Sequence, residues 1–269
     1  MKRHTSLLMA MIAASIFLFF LLNLLIGSVD IPLSSVVNIL LGGEEQSVVW
    51  QNIVLKSRVP QALTALVAGA GLSISGLQMQ TVFRNPLAGP SVLGISSGAS
   101  LGVAFAVLIS GSIGGVALSN MGYFGEMALT ISATIGAFAV MAIIVYVSQK
   151  VRGNVTLLII GVMIGYVANA IIGVLKYFSV EEDIRAYVIW GLGSFSRVSG
   201  DQMVLFVCLM LVLMPLSFLL IKTMNLLLLG DSYARNLGLH IKRARLLVIV
   251  CSGVLVAIVT AYCGPIMFL

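Results

Sequence analysis

Apolar runs of about twenty residues recur along the whole of this chain, at 7–27, 60–82, 92–110, 127–148, 155–178, 203–222 and 246–268. As an α-helix, a run of that length matches the ~30 Å hydrocarbon core of a bilayer. In hydrocarbon only helices and closed barrels satisfy every backbone N–H and C=O internally. The seven runs therefore predict an all-α, polytopic membrane helical bundle forming one domain over 1–269. Composition closes off the soluble alternative. Of 269 residues, 60% are hydrophobic and only 9% charged, against about 25% charged in a soluble domain, so too little polar surface exists to coat a body in water. The first run follows Lys2, Arg3 and His4 in the manner of a signal peptide. It exceeds the ~7–15 residues of a signal's apolar stretch and ends without an A-x-A site, and is read as a span.

Few as they are, the charges orient the bundle. Alternating the loops between two sides places Lys2, Arg3, Arg84, Lys150, Arg152, Lys222, Arg235, Lys242, Arg243 and Arg245 on one face, with Asp231 its only acid. Lys56, Arg58, Lys176, Arg185 and Arg197 fall on the other, beside the remaining acids. Under the positive-inside rule the first face is cytoplasmic, which predicts a multi-pass protein of the cytoplasmic (inner) membrane with its N-terminus inside. The net charge of +6 thus marks a membrane face. It forms no clustered basic surface with aromatic readers of the kind nucleic acid requires. Cys208, Cys251 and Cys263 lie in apolar runs without C-x-x-C spacing, which points to neither a metal site nor a disulfide framework.

Three connections exceed a simple turn. The segment 28–59 carries Ile31, Leu33, Val36, Val37 and Leu40, the pattern of a short interfacial helix. The segment 179–201 joins Glu181, Glu182, Asp183 and Arg185 to Trp190, placed by its type in an interfacial belt. The third, 223–245, is long, basic and partly amphipathic. Within the runs, small residues recur at helical spacing: Gly94, Gly98 and Gly102, Gly161 and Gly165, and Gly69, Ser73 and Gly76. Such rows let helix backbones approach closely in lipid.

Two chemistries find little support. Gly94-Ile95-Ser96-Ser97-Gly98 matches the G-x-S-x-G nucleophile pattern of an intramembrane hydrolase, yet a serine nucleophile needs a base within reach, and His4 and His240 both lie in flanks of the runs. An ion-coupled secondary transporter, the alternative reading, keeps an ionisable group within a span. Here Glu126 and Lys176 reach only span edges. No G-x-x-x-x-G-K-[ST] phosphate cradle is present, so energy for active transport has to come through another subunit.

Three ordered blocks carry a family resemblance. The first runs from Arg58-Val59-Pro60-Gln61 through Ser75-Gly76-Leu77-Gln78-Met79-Gln80 to Arg84-Asn85-Pro86-Leu87-Ala88-Gly89-Pro90 and Leu93-Gly94. The second comprises Asn225-Leu226, Leu229-Gly230-Asp231, Ala234, Leu237-Gly238 and Arg245, and the third Trp190, Gly193 and Ser194. Together they resemble the FecCD-type permeases, the membrane subunits of ABC importers for ferric siderophores, haem and cobalamin. The resemblance implies a ten-helix permease, about seven of whose helices fall in this chain, working as a homodimer in membrane lipid. Its implied partners are cytoplasmic ABC ATPase subunits, which use the ATP, and an extracytoplasmic substrate-binding protein. No cofactor or metal is implied for this chain, and no catalysis. In that family a G-P-I-x-F motif begins as Gly264-Pro265-Ile266 does here, and three further helices are expected after Leu269.

The resemblance also assigns roles. Arg58 stands where a family arginine docks the binding protein, while Gln61 replaces a second one. Asn85 and Leu87 stand at the cytoplasmic gate. Gly230, Asp231, Ala234, Leu237 and Gly238 stand in the helix that couples to the ATPase, with Asp231 where relatives usually carry Glu. Arg185 and Arg197 fall near the implied pathway entrance, where cations attract anionic chelates.

Overall fold

The computed structural model describes residues 2–43, 47–109, 123–151, 153–198 and 200–266, and every regular element among them is helical. Glu44, Glu45 and Arg152, used above to orient the loops, lie outside the described residues, as do position 110 of the third run and 267–269 of the closing motif. The chain divides into two compact units, Met1–Val67 with Phe195–Val207, and Ala68–Ser194 with Cys208–Leu269.

The first unit contains α1 (Lys2–Leu25), α2 (Leu33–Leu40), α3 (Val48–Ile53), a π-helical turn (Val54–Arg58) and the start of α4 (Val59–Phe83). Helix α1 has a mean hydropathy of 2.5 over His4–Leu25, yet only 6% of its most apolar window is buried against protein. A helix apolar on every side and free of protein along most of its length has lipid as its solvent. The interfacial helix expected in 28–59 is α2. Its Val36 and Ile39 turn inward to join Ile31 and Val54 in a small core with Leu25, Trp50 and Val59 around it, while Leu33, Val37 and Leu40 remain exposed. Ser47 starts α3 by accepting the Trp50 N–H at 3.4 Å, as an N-cap should.

The second unit contains α5 (Ile95–Ala104) with a π-helical turn (Phe105–Ile109), α6 (Tyr123–Lys150), α7 (Asn154–Phe178), α8 (Glu181–Gly191), most of α9 (Gly200–Phe218), α10 (Ile221–Leu228), α11 (Asp231–Asn236) and α12 (Ile241–Cys263). Its centre is α12, with 67% of its most apolar window buried. Polar pairs join this helix to its neighbours. Ser75 of α4 meets Ser252 at 2.6 Å, Ser96 of α5 meets Thr260 at 3.1 Å, and Cys251 Sγ lies 3.2 Å from Ser217 Oγ of α9. Away from water each of these hydroxyls needs a partner, and finding it on another helix sets the register between the two.

The glycine rows do different things. Helix α5 lies backbone to backbone on α6, where a methyl on Gly98 would meet the Gly136 carbonyl oxygen at 2.7 Å and one on Gly102 would meet Gly136 Cα at 3.1 Å. Gly161 of α7 approaches the Val92 carbonyl as closely, since a methyl there would stand 2.7 Å from that oxygen. Gly69 has nothing within 4 Å and Gly76 only an ordinary 3.8 Å contact with Pro90, so the row at 69, 73 and 76 makes no close helix contact among the described residues.

The spans also depart from their hydropathy. Among the described residues five helices are long and apolar enough to cross a membrane, or six if α9 and α10, which meet at a 48° bend, count as one. Within the described part of the third run the helix is Ile95–Ile109, beginning at 95 rather than 92 because the turns over 84–94 end at Gly94 with φ +72°. The sixth ends at Phe218, just past the helix-weakening Pro215. The last begins at Ile241 rather than 246. Lys242, Arg243 and Arg245 interrupt the hydropathy without interrupting the helix, since long cations reach water from a helical backbone.

Adding one methyl separates these cases. Gly136→Ala lowers the thermal midpoint of the detergent-purified protein, with an overpacking cost of about 1–3 kcal/mol, whereas Gly69→Ala leaves it unchanged or raises it. Equal midpoints for the two variants would contradict the backbone contact.

Candidate functional site

Apart from Arg58 and Arg197, which belong to the first unit, the residues singled out by the sequence gather at two ends of the second unit. At one end, α4 stops at Phe83 and the chain reverses. Arg84 donates its N–H to Thr81 O and Asn85 to Gln80 O, closing the helix in the pattern usually built around glycine. Arg84 is the one non-glycine with positive φ, +49°, among the described residues. A left-handed conformation costs an ordinary residue roughly 1–2 kcal/mol. The turn that follows is closed locally. Asn85 Oδ1 accepts the Leu87 N–H at 2.9 Å, Asn85 O accepts the Ala88 N–H at 3.1 Å, and Ala88 is buried while Leu87 is 87% exposed.

The same end receives α10, α11 and the start of α12. Gly230 and Gly238, at φ +104° and +85°, bracket α11, and Ala234 turns inward with no exposed surface while Tyr233 and Leu237 are 70% and 62% exposed. Leu228 and Leu229 extend that apolar surface. Asp231 opens α11 and bridges two arginines. One oxygen pairs with Arg84 and the other lies 2.6 Å from Arg245 of α12. Arg84 also donates to Leu227 O at 2.9 and 3.2 Å, adding to the Gly230 N–H bond at 3.3 Å on that carbonyl at the end of α10. These groups are partly solvated, with side-chain exposures of 39%, 39% and 20% for Arg84, Asp231 and Arg245. Ion pairs so exposed return about 0–1 kcal/mol each, little beyond the backbone strain at Arg84. Asp231 is accordingly an internal bridge, with Tyr233 and Leu237 forming the outward surface of α11.

Between the turns that lead to α5 and the middle of α7 lies a recess of about 180 Å³ lined by Ser91, Gly94, Ser97, Gly165, Tyr166 and Asn169. Asn169 escaped the sequence reading. It sits mid-way along α7 on a face that also exposes Val162 and Tyr166, and an amide there is costly against lipid alone. A single Asn within an apolar run was the available signal.

At the opposite end, Ser194 N–H donates to Cys263 O at 2.8 Å, and a methyl on Gly264 would meet Trp190 O at 2.8 Å. The Trp190-Gly193-Ser194 block and the Gly264-Pro265 motif, remote in sequence, are thus adjacent. Trp190 is 2% exposed, so the expectation of an interfacial belt is corrected: the indole packs in protein beside Tyr187, ring centroids 6.5 Å apart. Arg185 is exposed on α8 in this unit, and half-buried Arg197 lies in a 3-10 turn (Phe195–Arg197) of the first.

Arg58 is placed differently from its expected docking role. It is 5% exposed and donates to Leu24 O at 3.0 Å, Leu25 O at 2.9 Å and Val29 O. The π-helical turn supplies one extra residue per turn and leaves Lys56 and Ser57 exposed while Arg58 turns inward. Its charge satisfies the carbonyl end of α1, the negative pole of that helix. Arg58→Gln removes charge-assisted bonds to carbonyls that are then underpaired, costing about 2–4 kcal/mol of stability, read as a lower thermal midpoint. A stable variant with its midpoint unchanged would return Arg58 to a surface role.

Among the described residues of this unit the hydrolase pattern finds no histidine base. Ser96 Oγ bonds Thr260, twenty residues along α12 from His240, about 30 Å at 1.5 Å per residue. Glu126 and Lys176 stay in the first turn of α6 and the last turn of α7, and the Lys176 ammonium lies 4.7 Å over the Tyr187 ring. Among the described residues no cluster of three potential metal ligands occurs.

Asp183 of α8 is 2% exposed, and its Oδ2 finds no hydrogen-bond partner. Burial, and secondarily the Glu182 charge, push its carboxyl above the ordinary carboxylate range. The folded state then holds this proton more tightly than the unfolded chain, so stability falls as pH rises through the raised value. Asp183→Asn consequently raises the thermal midpoint near pH 7, and the gain shrinks toward about pH 4. A gain independent of pH would refute this account.

Residues 15–269 match the sequence profile of the FecCD transport family. The chain is 34% identical over 222 residues to the hemin transport system permease protein of Yersinia pestis, covering 82% of this chain and 63% of that protein. It is 34% identical over 227 residues to the vitamin B12 import system permease protein of Klebsiella pneumoniae, covering 84% and 65%. A solved structure described as an inward-facing conformation of a metal-chelate type ABC transporter superposes with a TM-score of 0.77 at 28% identity, covering 96% of this chain and 77% of that one. The chain spans less than two thirds of the length of these two curated relatives.

Proposed function

The chain belongs to the FecCD transport family, and we propose on that basis that it is the permease subunit of a binding-protein-dependent ABC importer, moving an iron–siderophore, haem or cobalamin across the cytoplasmic membrane. ATP is hydrolysed on separate cytoplasmic subunits, and this chain makes and breaks no covalent bond. The observation that carries the reading is α11. A six-residue helix bracketed by two left-handed glycines and anchored by Ala234 presents Tyr233 and Leu237 outward, beside the exposed turn at Asn85–Leu87. A compact helix of this kind transmits rigid-body motion from a docked partner. The surrounding Lys222, Arg235, Lys242 and Arg243 orient this end toward the cytoplasm, with the N-terminus on the same side.

The rest of the assembly follows from exposed faces. The α7 face bearing Tyr166 and Asn169 meets a second copy of the chain or the water-filled route between two copies, where a mid-span amide finds partners. Asn85 and Leu87 narrow the cytoplasmic exit. Docking of the external binding protein at the π-helical turn before α4 falls to exposed Lys56, since Arg58 is engaged within the protein, while Arg185 and Arg197 add positive potential near the entrance. Substrates of this class are anionic or bulky, and a wide route between two copies with few fixed ligands suits several of them.

Leu237→Asp places a charge in the ATPase-facing surface. Membrane insertion and thermal midpoint stay unchanged, while affinity for the ATPase subunit, measured by co-purification at graded concentration, falls about tenfold or more, the loss expected of a central apolar contact. Undiminished affinity would remove α11 from the docking surface.

A further inference from the structure

Arg84 is an expensive choice for its position. The residue after a helix end that takes left-handed φ is usually glycine, and glycine there would be free of the strain that Arg84 bears at φ +49°. The hydrogen bonds closing α4 come from the backbone of Arg84 and Asn85 and would form equally with glycine. What glycine lacks is the guanidinium, which reaches Leu227 O at the end of α10 and Asp231 at the start of α11. Strain kept at a position where the backbone does not need it points to a function for the side chain.

That side chain joins two bodies. On one side Arg84 is covalently continuous with the Asn85–Leu87 turn, itself closed by the Asn85 side chain and pinned by buried Ala88. On the other, Asp231 is the first residue of α11, which is closed on itself by Ala234 N–H to Gly230 O and Leu239 N–H to Ala234 O, both 2.9 Å. Arg245 holds the second carboxylate oxygen at 2.6 Å, so the carboxylate is fixed at both oxygens and has little freedom to swing. Solvated ion pairs add little to stability, but a planar guanidinium bonded to a carbonyl and a carboxylate together fixes distance and direction.

We propose that the Arg84–Asp231 pair, braced by Arg245, is the positioning link through which movement of α11 is passed to the Asn85–Leu87 turn. The link rests on the reading of α11 as the ATPase-docking helix and of the turn as the inner gate. Without it, α11 and the turn move independently.

Arg84→Gly is the decisive variant, because it relieves the backbone while cutting the link. In the purified chain alone, its thermal midpoint equals or exceeds that of the unaltered protein, while amide exchange in 231–236 rises at least ~5-fold. Asp231→Asn raises exchange in 85–88 by a similar factor, and the double variant is no faster at either element than the faster single one, as expected for two halves of one link. Unchanged exchange at the element remote from each substitution, or multiplicative effects in the double variant, would overturn the link. A second arm adds the ATPase subunit. With Leu87→Cys as a reporter, ATP changes the rate of modification by a water-soluble maleimide by at least about threefold, and Arg84→Gly abolishes that change while the ATPase stays bound. A persistent ATP effect in Arg84→Gly would also overturn it. Failure of the unaltered chain to bind the ATPase would sink the docking reading instead, leaving the exchange results to decide whether the two elements are linked.

Discussion

Between helices in lipid there is no hydrophobic reward for contact, because an apolar side chain is as well solvated by acyl chains as by another helix. What holds helices together there is close van der Waals approach and the pairing of the few polar groups present. Both devices converge on the second unit. Gly98, Gly102 and Gly136 let α5 and α6 touch along their backbones, and Gly161 brings α7 onto the Val92 carbonyl. Ser75–Ser252, Ser96–Thr260 and Ser217–Cys251 then tie α12 to α4, α5 and α9. Because close-packed contacts of this kind are discrete rather than compressible, the helix ends they position are positioned rigidly. Those ends carry the residues of the three signature blocks that fall in this unit.

A rigid frame accounts for the spare construction of the two ends. At one, the closing turn of α4, the short α11 and the first turn of α12 are held by three charged side chains and one carbonyl. At the other, a backbone bond from Ser194 to Cys263 and the close passage of Gly264 over Trp190 bring together two signature blocks separated by about seventy residues. Neither arrangement contributes much to stability. Each fixes geometry, which is what the proposed link between α11 and the Asn85–Leu87 turn requires of its joints.

Part of this was legible in advance. The twenty-residue runs, the scarcity of charge and the polar character of 223–245 led to the helical membrane class, and the ordered blocks led to the family. The same signals misplaced particulars. Hydropathy started α12 five residues late, because it reads Lys242 and Arg243 as loop when their stems lie along a helix. It started the third span at 92, inside the turns that end at Gly94. Glycine spacing alone made the rows at 69–76 and 98–102 equivalent, although only the second has a backbone opposite it.

The chain's pattern of apolar length and charge by itself determined that it lives in a bilayer as helices, since hydrocarbon allows few other ways to satisfy a backbone. Tertiary structure alone decided which charges face inward. Arg58 reads as a surface cation and is buried at the end of α1, and Asp231, read as part of the coupling helix, is a bridge between two arginines; uncharged Trp190 likewise reads as a belt residue and is buried in protein. An ionisable side chain is long enough to reach either solvent or a neighbouring helix end, and its choice depends on which unpaired carbonyls and carboxylates the fold brings within about 3 Å, a distance that no spacing along the sequence encodes.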